Sequence, residues 1–174
     1  LACKHCRAEA HPEPYPGGLS TEEAKALIDT FPNVGNPIII FTGGDPMIRP
    51  DVYELIAYAG SKGLRCVMSP NGTLITPEAA RKIKEAGVQR CSISIDGYNA
   101  EKHDAFRCVP GAFDATMRGI EHLKAAGVEF QINTTVTRDN LHDFKKIFEL
   151  CERIGAAAWH IFLLVPMGRA AELA

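Results

Sequence analysis

The chain has 174 residues, of which 46% are hydrophobic and 23% are charged, so it can bury the core of one domain. Its formal net charge of -2, without any run of Lys or Arg, offers no basic surface to a nucleic acid. The longest apolar runs, at residues 37–41 and 159–166, are far too short to span a bilayer. Its cysteines are scattered apart from one close pair, which favours a reducing compartment. We therefore expect a cytoplasmic protein that binds neither nucleic acid nor membrane.

Helical patterns alternate with short β-rich runs, and most predicted helices end at a glycine that a strand follows directly. The first helix begins at Ser20, where the sequence contains a capping box to Glu23. The helices are predicted from Ser20 to about Thr30, after Pro50, from Thr76, over about residues 113–126, and from near Asn140. The strands are predicted at residues 37–42, 64–68, 90–95, 129–136 and 159–165.

Five parallel strands joined by helical crossovers form either an open doubly wound sheet or part of a βα barrel. In both architectures, ligands bind at the carboxyl ends of the strands. Polar and glycine-rich segments follow these strands at residues 43–45, 69–72, 96–97 and 166–169. Because these loops converge on one side of the sheet, they predict a single ligand site.

The close pair Cys3 and Cys6 forms a C-x-x-C near the start of the chain. Such a pair fits a redox dithiol, half of a zinc site, or two thiolates of an iron–sulfur cluster. A structural zinc site needs four ligands, and no second C-x-x-C or H-x-x-x-H occurs. A thioredoxin-like dithiol would precede a helix, whereas Cys6 precedes a proline-containing polar loop.

Leu1-Ala-Cys-Lys-His-Cys-Arg7 resembles the end of the radical S-adenosylmethionine (radical SAM) signature C-x-x-x-C-x-x-C, whose first cysteine would lie two positions before Leu1. Gly43-Gly44-Asp45 is similar to the family's Gly-Gly-Glu motif, and residues 69–72 and 92–97 resemble its third and fourth strand regions. The resemblance implies a partial (β/α)6 TIM-like barrel, an α/β fold of parallel strands with outer helices, whose first strand precedes this chain. Residues 1–174 would then form the radical SAM core domain, without the auxiliary C-terminal domain.

The same resemblance assigns cofactor contacts. Cys3 and Cys6 would ligate a four-iron, four-sulfur (4Fe-4S) cluster, and S-adenosylmethionine (SAM) would contact Gly43, Gly44, Asp45, Ser69, Asn71, Ser94, Asp96, Arg107, Asn133 and Val165. Asp45 would receive the methionine amino group, and Arg107 would pair with its carboxylate. We expect Asp96 and Arg107 to project into a solvent-filled cavity without a structural partner. Simpler interpretations remain, because residues 43–46 and 71–72 also suit ordinary turns, and Asp96 could cap the loop that follows.

In the family, the reduced cluster cleaves SAM to a deoxyadenosyl radical that abstracts hydrogen from a substrate, with flavodoxin or ferredoxin as the one-electron donor. Residues 130–136 and 159–169 resemble the subgroup with a SPASM-type auxiliary domain, particularly enzymes of haem and haem d1 biosynthesis. The implied substrate is a tetrapyrrole whose propionates are oxidatively decarboxylated. Two alternatives are a radical SAM peptide-modifying maturase and, outside the enzymes, a C-x-x-C metal-binding or redox-carrier module.

The other cysteines and histidines give local predictions. Cys66, Cys91 and Cys151 are expected as buried apolar side chains, and Cys108 in a loop that faces the site. His160, in an apolar strand, is expected in the core. The remaining histidines outside the Cys pair, His11, His103, His122 and His142, are expected to be exposed.

Overall fold

The protein is described by a computed structural model that covers residues 1–6, 10 and 17–173, so His11 lies outside the described residues. Within these residues, five parallel strands lie side by side in chain order and form a curled half-barrel. The strands are β1 (Ile38–Phe41), β2 (Arg65–Met68), β3 (Arg90–Ser94), β4 (Phe130–Val136) and β5 (Trp159–Leu163). This confirms the predicted partial barrel with these five strands. The sixth strand, expected before Leu1, stays a prediction.

Among the described residues, six α-helices lie between and around the strands. They are α1 (Thr21–Thr30), α2 (Val52–Ser61), α3 (Pro77–Glu85), α4 (Ala100–Arg107), α5 (Ala112–Ala125) and α6 (Phe144–Ile154). The predicted starts of α1 and α3 are confirmed. Ser20 and Glu23 form both hydrogen bonds of the capping box at α1. The Thr76 side chain caps α3 by accepting from the Ala79 amide, and Pro77 is the first residue of that helix. In the described part of the chain, no helix combines the length and the apolarity needed to cross a membrane.

Alternation along each strand separates a core face from a cavity face. On β2, for example, Cys66 and Met68 are buried, whereas Arg65 and Val67 line a cavity. The core side holds apolar residues from strands and helices, including Ile56, Met68, Ile83, Ile93, Ile120, Leu123, Ile132 and Ile147. Each such side chain contributes about 1.5–3 kcal/mol when it leaves water. The half-barrel is therefore held together from its helical side, which leaves the concave face free for function.

The three cysteines expected in the core are there. Cys66, Cys91 and Cys151 are buried, and burial raises the pKa of each thiol, to about 12 for Cys91 and Cys151. These thiols therefore stay protonated at neutral pH and serve as apolar packing groups.

Helix α4 was not predicted from the sequence. It begins after Asn99, whose side chain accepts from the Lys102 amide, and it ends at Cys108, a non-glycine residue in the left-handed region with φ +56°. The apolar stripe that identifies the other helices is weak in α4, which is why the pattern was missed. The prediction that Cys108 lies in a loop facing the site is wrong, since its side chain is exposed at the end of α4 and does not line the main cavity.

Candidate active site

A cavity of about 980 Å³ occupies the concave face of the half-barrel. Its wall along β1 and β2 is largely apolar, with Ile38, Ile40 and Val67 on its surface. The wall along β3 to β5 is mostly polar, with Phe162 as its apolar member on β5, and it carries Arg90, Ser92, Ser94, Gln131, Asn133 and His160. The site thus offers one apolar side and one hydrogen-bonding side to whatever it binds.

The loop that carries Cys3 and Cys6 borders this cavity, and both thiols line it. The loop is held from two sides. The Lys4 amide donates to the Phe106 carbonyl at 3.3 Å, and the His5 ring packs on the Phe106 ring with centroids 4.7 Å apart. Arg169 Nε donates to the Cys3 carbonyl at 3.0 Å. The thiols are therefore presented by a backbone that is fixed to α4 and to the segment after β5.

Gly43 and Gly44 bring the backbone after β1 close to the Cys loop. Gly43 has φ +145°, which favours glycine, and a Cβ built on Gly44 would lie 2.9 Å from the Cβ of Ala10. Asp45, next in the chain, accepts from the amides of Met47 at 2.9 Å and Asn71 at 2.8 Å. Each of its oxygens keeps a lone pair that can accept from a ligand ammonium. Burial raises the pKa of Asp45, although the two amide donors act in the opposite direction.

The loop after β2 contributes Ser69 and Asn71 to the cavity. Asn71 Oδ1 accepts from the amide of Thr73 at 2.9 Å and from its hydroxyl at 2.6 Å, which is an Asx turn. Because Asp45 holds the Asn71 amide, the loops after β1 and β2 form one unit at the carboxyl end of the sheet.

Asp96 and Arg107 depart from the prediction. Both are buried, at 1% and 6% exposure, and Arg107 Nη2 donates to Asp96 Oδ2 in an ion pair. The expectation that they project without a structural partner is therefore wrong. The physical reason is α4, which was missing from the predicted elements and which carries Arg107 onto the end of β3. Arg107 still borders the cavity, whereas Asp96 lies behind its wall.

The charge states of this buried group follow from its neighbours. Burial acts to lower the pKa of Arg107, but Asp96 and Cys3 outweigh it, so the pKa lies above its ordinary value and the guanidinium stays charged. His103, expected to be exposed, is 1% exposed and accepts at Nδ1 from the Asp96 amide at 3.2 Å. Burial, assisted by the Arg107 charge, lowers the pKa of His103 to about 4, so its ring is neutral at pH 7.

Among the other predicted residues, Ser94 and Asn133 line the polar wall, and their roles toward SAM stay predictions. Val165 is 59% exposed and does not border the cavity. His160, expected in the core, instead lies on the cavity face of β5, where its Nδ1 is 3.0 Å from Gln131 Nε2. Strand alternation places Gln131 and His160 on the same side of the sheet, and that signal could have identified His160. His142 is exposed as predicted, and His122 is half-buried with its Nδ1 2.7 Å from the Ile75 carbonyl.

The donor set around the Cys loop fits an iron–sulfur cluster. Two thiols face one cavity, and three polar atoms near them, His5 Nδ1, Arg107 Nε and Arg169 Nη2, are buried without a partner among the described residues. Within that part of the chain no group of three or more His, Cys, Asp or Glu side chains could hold a metal ion, so the described residues supply two thiolates. Thiolates with nearby hydrogen-bond donors are the usual surroundings of such clusters.

Comparison with known proteins gives matches over nearly the whole chain. A family model described as the Radical SAM superfamily matches residues 1–151. An AdoMet-dependent heme synthase of Nitratidesulfovibrio vulgaris (strain Hildenborough) is 80% identical over 173 residues, which is 99% of this chain and 47% of that protein. The mycofactocin maturase MftC of Mycolicibacterium smegmatis is 36% identical over 99% of this chain and 44% of its own length. The chain thus spans about half the length of the curated relatives it matches.

The fold has solved counterparts as well. The structure described as "Native anSMEcpe with bound AdoMet" superposes with a TM-score of 0.80 at 22% identity, covering 95% of this chain and 48% of that one. This similarity confirms the half-barrel architecture.

Proposed function

Because the chain belongs to the radical SAM superfamily, we propose that it is the core domain of an enzyme that oxidatively decarboxylates the propionates of an iron-coproporphyrin in haem biosynthesis. The observation that carries the proposal is the 80% identity with an AdoMet-dependent heme synthase over 173 residues, which is 99% of this chain. Superfamily membership implies the use of SAM and an iron–sulfur cluster.

In this proposal, Cys3 and Cys6 supply two thiolates to the 4Fe-4S cluster. When bound, the cluster and SAM together supply the one-electron chemistry that removes a hydrogen atom from the substrate. The Gly43–Gly44 backbone and Asp45 receive the methionine amino group of SAM, and Ser69 with Asn71 completes that end of the site. Ser94 and Asn133 on the polar wall are placed to bind the ribose or adenine.

The two walls of the cavity suit a large amphiphilic substrate. The exposed faces of Ile38, Ile40 and Val67 can pack against a macrocycle, and the polar wall can accept its carboxylate rim. Each conversion of a propionate to a vinyl group releases CO₂, one hydrogen atom and one electron. The hydrogen atom goes to the deoxyadenosyl group derived from SAM, and the electron goes to an oxidised one-electron carrier. Reduction of the cluster requires a one-electron donor, for which we propose flavodoxin or ferredoxin.

All six cysteines are free thiols, which is consistent with a protein that works in the reducing cytoplasm.

A peptide-modifying maturase is the second candidate, since mycofactocin maturase is also similar to nearly the whole chain. The large difference between 80% and 36% identity favours the tetrapyrrole substrate. The alternative of a non-enzymatic C-x-x-C module is not favoured, because such a module would need neither the Gly-Gly-Asp loop nor the polar wall.

The experiment is anaerobic turnover by the intact protein after cluster reconstitution, with SAM, a chemical reductant, a redox mediator that can accept one electron, and iron-coproporphyrin III. We expect deoxyadenosine, CO₂ and a divinyl product, separated by chromatography, and no product from the Cys3→Ala variant. Deoxyadenosine formed without CO₂ from the porphyrin, together with modification of a peptide substrate, would transfer the assignment to the maturase class.

A further inference from the structure

The geometry points to Arg107 as a positioning residue for the thiolate of Cys3, in place of the role of SAM-carboxylate partner that the family resemblance implies. This inference rests on the proposed function, because it requires Cys3 to be a cluster ligand. It concerns how α4 and the end of β3 support that ligand before SAM binds.

Asp96 is the fixed end of the arrangement. Its Oδ1 accepts from the Thr135 amide at 2.7 Å, its carbonyl accepts from Asn140 Nδ2 at 3.1 Å, and its amide donates to His103 Nδ1 at 3.2 Å. Asp96 is therefore tied to β4, to the loop before α6 and to α4. The two backbone bonds fix the position of the residue, and its carboxylate cannot turn toward the cavity without breaking the buried bonds donated by Thr135 and Arg107, each costly to leave unmade.

Arg107 extends this anchor to the Cys loop. One arm of its guanidinium fork, Nη2, donates to Asp96 Oδ2, and the other arm, Nη1, donates to Cys3 Sγ at 3.5 Å. The planar fork fixes the direction of both arms at once, so the position of Cys3 Sγ is coupled to that of β3. With Arg107 only 6% exposed, this donor acts with little screening by water.

The Arg107 donor shifts the midpoint potential of the cluster in a direction that can be predicted. A hydrogen bond and a positive charge beside a ligand sulfur stabilise the reduced state, which carries one more negative charge. Removal of the Arg107 donor should therefore make the midpoint potential of the cluster more negative. It should also loosen the hold on Cys3 and reduce the iron retained.

Arg169 provides the matched control. It approaches the same loop, but its Nε donates to the carbonyl of Cys3 at 3.0 Å and its Nη1 to the carbonyl of Ala10 at 3.4 Å. Arg107→Lys and Arg169→Lys are thus the same change of side chain beside the same loop. Only the first breaks the guanidinium fork that joins the sulfur of Cys3 to Asp96.

The test uses the intact protein, reconstituted without oxygen and without SAM. Iron content and the midpoint potential, from a redox titration followed by electron paramagnetic resonance, are compared for Arg107→Lys, Arg169→Lys and the double variant Arg107→Gln/Asp96→Asn. The double variant removes both charges together, so it leaves no buried carboxylate unpaired. SAM affinity is measured in parallel.

We expect a more negative midpoint potential in both Arg107 variants. Arg169→Lys, which loses a bond to the loop backbone and none to the sulfur, should lower the iron content but leave the potential of the retained cluster at the parent value. If both Arg107 variants match the parent protein in potential and iron and only bind SAM more weakly, the inference is wrong and Arg107 is the carboxylate partner. A parent protein that takes up no cluster would instead refute the proposed function.

Discussion

His103 is buried between α4 and the end of β3, and its burial makes the stability of the fold depend on pH. The unfolded chain protonates this ring near its ordinary pKa of 6.5, whereas in the folded protein burial lowers the pKa to about 4. The folded-state pKa is thus depressed. The stability contributed by the neutral ring is complete above pH 6.5 and is lost as the pH falls through about 4.

We therefore predict that unfolding free energy falls between pH 7 and pH 4.5 in the cluster-free protein, by up to about 3 kcal/mol from this residue. The His103→Gln variant keeps a hydrogen-bond acceptor for the Asp96 amide but has no titrating ring, so its pH profile should be flatter. Urea unfolding at several pH values measures both. His142→Gln is the control, and because His142 is exposed, this variant should retain the pH profile of the parent protein. If unfolding free energy falls with pH as steeply in His103→Gln as in the parent, then burial does not keep His103 neutral.

Single residues around Asp96 were predicted less well than the motifs that contain them. Alternation along β3 correctly placed Ser92 and Ser94 on the cavity face. It could not predict what happens just beyond the strand, where Asp96 turns inward to accept from Thr135 and Arg107. Those partners lie 39 and 11 residues away in the chain, and only tertiary packing brings them together. Strand alternation therefore identified serines that face the cavity, but it could not show that Asp96 and Arg107 pair with each other.

At the scale of elements, α5 packs on the loop after β2 through Gly119. A Cβ built on Gly119 would lie 2.3 Å from the carbonyl oxygen of Gly72, a contact that no real side chain makes. That loop also contains Asn71, whose carbonyl accepts from Thr116 of the same helix at 3.2 Å. Helix α5 thus supports one edge of the candidate SAM site by close backbone approach.

We predict that Gly119→Ala destabilises the protein by about 1–3 kcal/mol, the usual cost of overpacking, and weakens SAM binding because the loop carrying Asn71 must move. Gly60→Ala is the matched control, since Gly60 also lies in a helix and nothing is within 4 Å of its built Cβ. There the change should stabilise by about 1 kcal/mol through helix propensity. Thermal unfolding and SAM affinity measure the two effects. Similar melting temperatures for the two variants would contradict the proposed packing.

Helices and strands with strong local sequence signals were predicted more accurately than those with weak signals. The five strands carry continuous β-rich runs and the capped helices α1 and α3 carry explicit start signals, so their positions follow from the sequence. Helix α4 has only an Asn cap and a weak apolar stripe, and α6 begins at Phe144 after a short 3₁₀ turn at Leu141–Asp143, later than the predicted Asn140. Its cap signal at Asn140 instead orders the loop, where Asn140 Oδ1 accepts from the Thr137 amide at 2.8 Å.

At the scale of the molecule, the half-barrel separates cysteines by function. Cys66, Cys91 and Cys151 lie on the core side, Cys108 is exposed at the end of α4, and Cys3 and Cys6 alone among the six line the cavity. A fold that places helices on one face and binding loops at the strand ends creates this division, because a side chain on the core face cannot reach a ligand in the concave face. The sequence spacing predicted the same pair, and the structure adds that their loop is held by Phe106 and Arg169.

We therefore predict that Cys3→Ala and Cys6→Ala in the intact protein abolish iron binding at this site and SAM cleavage, while Cys108→Ala leaves both unchanged. The physical reason is that a thiolate ligand cannot be replaced by a methyl group, whereas the Cys108 thiol is 3.7 Å from the Ala105 carbonyl and outside the main cavity. Iron and sulfide content, with deoxyadenosine released on reduction, measure the outcome. Cys151→Ala is a second control, which should cost stability as a core cavity but keep the cluster. SAM cleavage at the parent rate by either Cys3→Ala or Cys6→Ala would refute the cluster assignment and with it the catalytic role of the cavity.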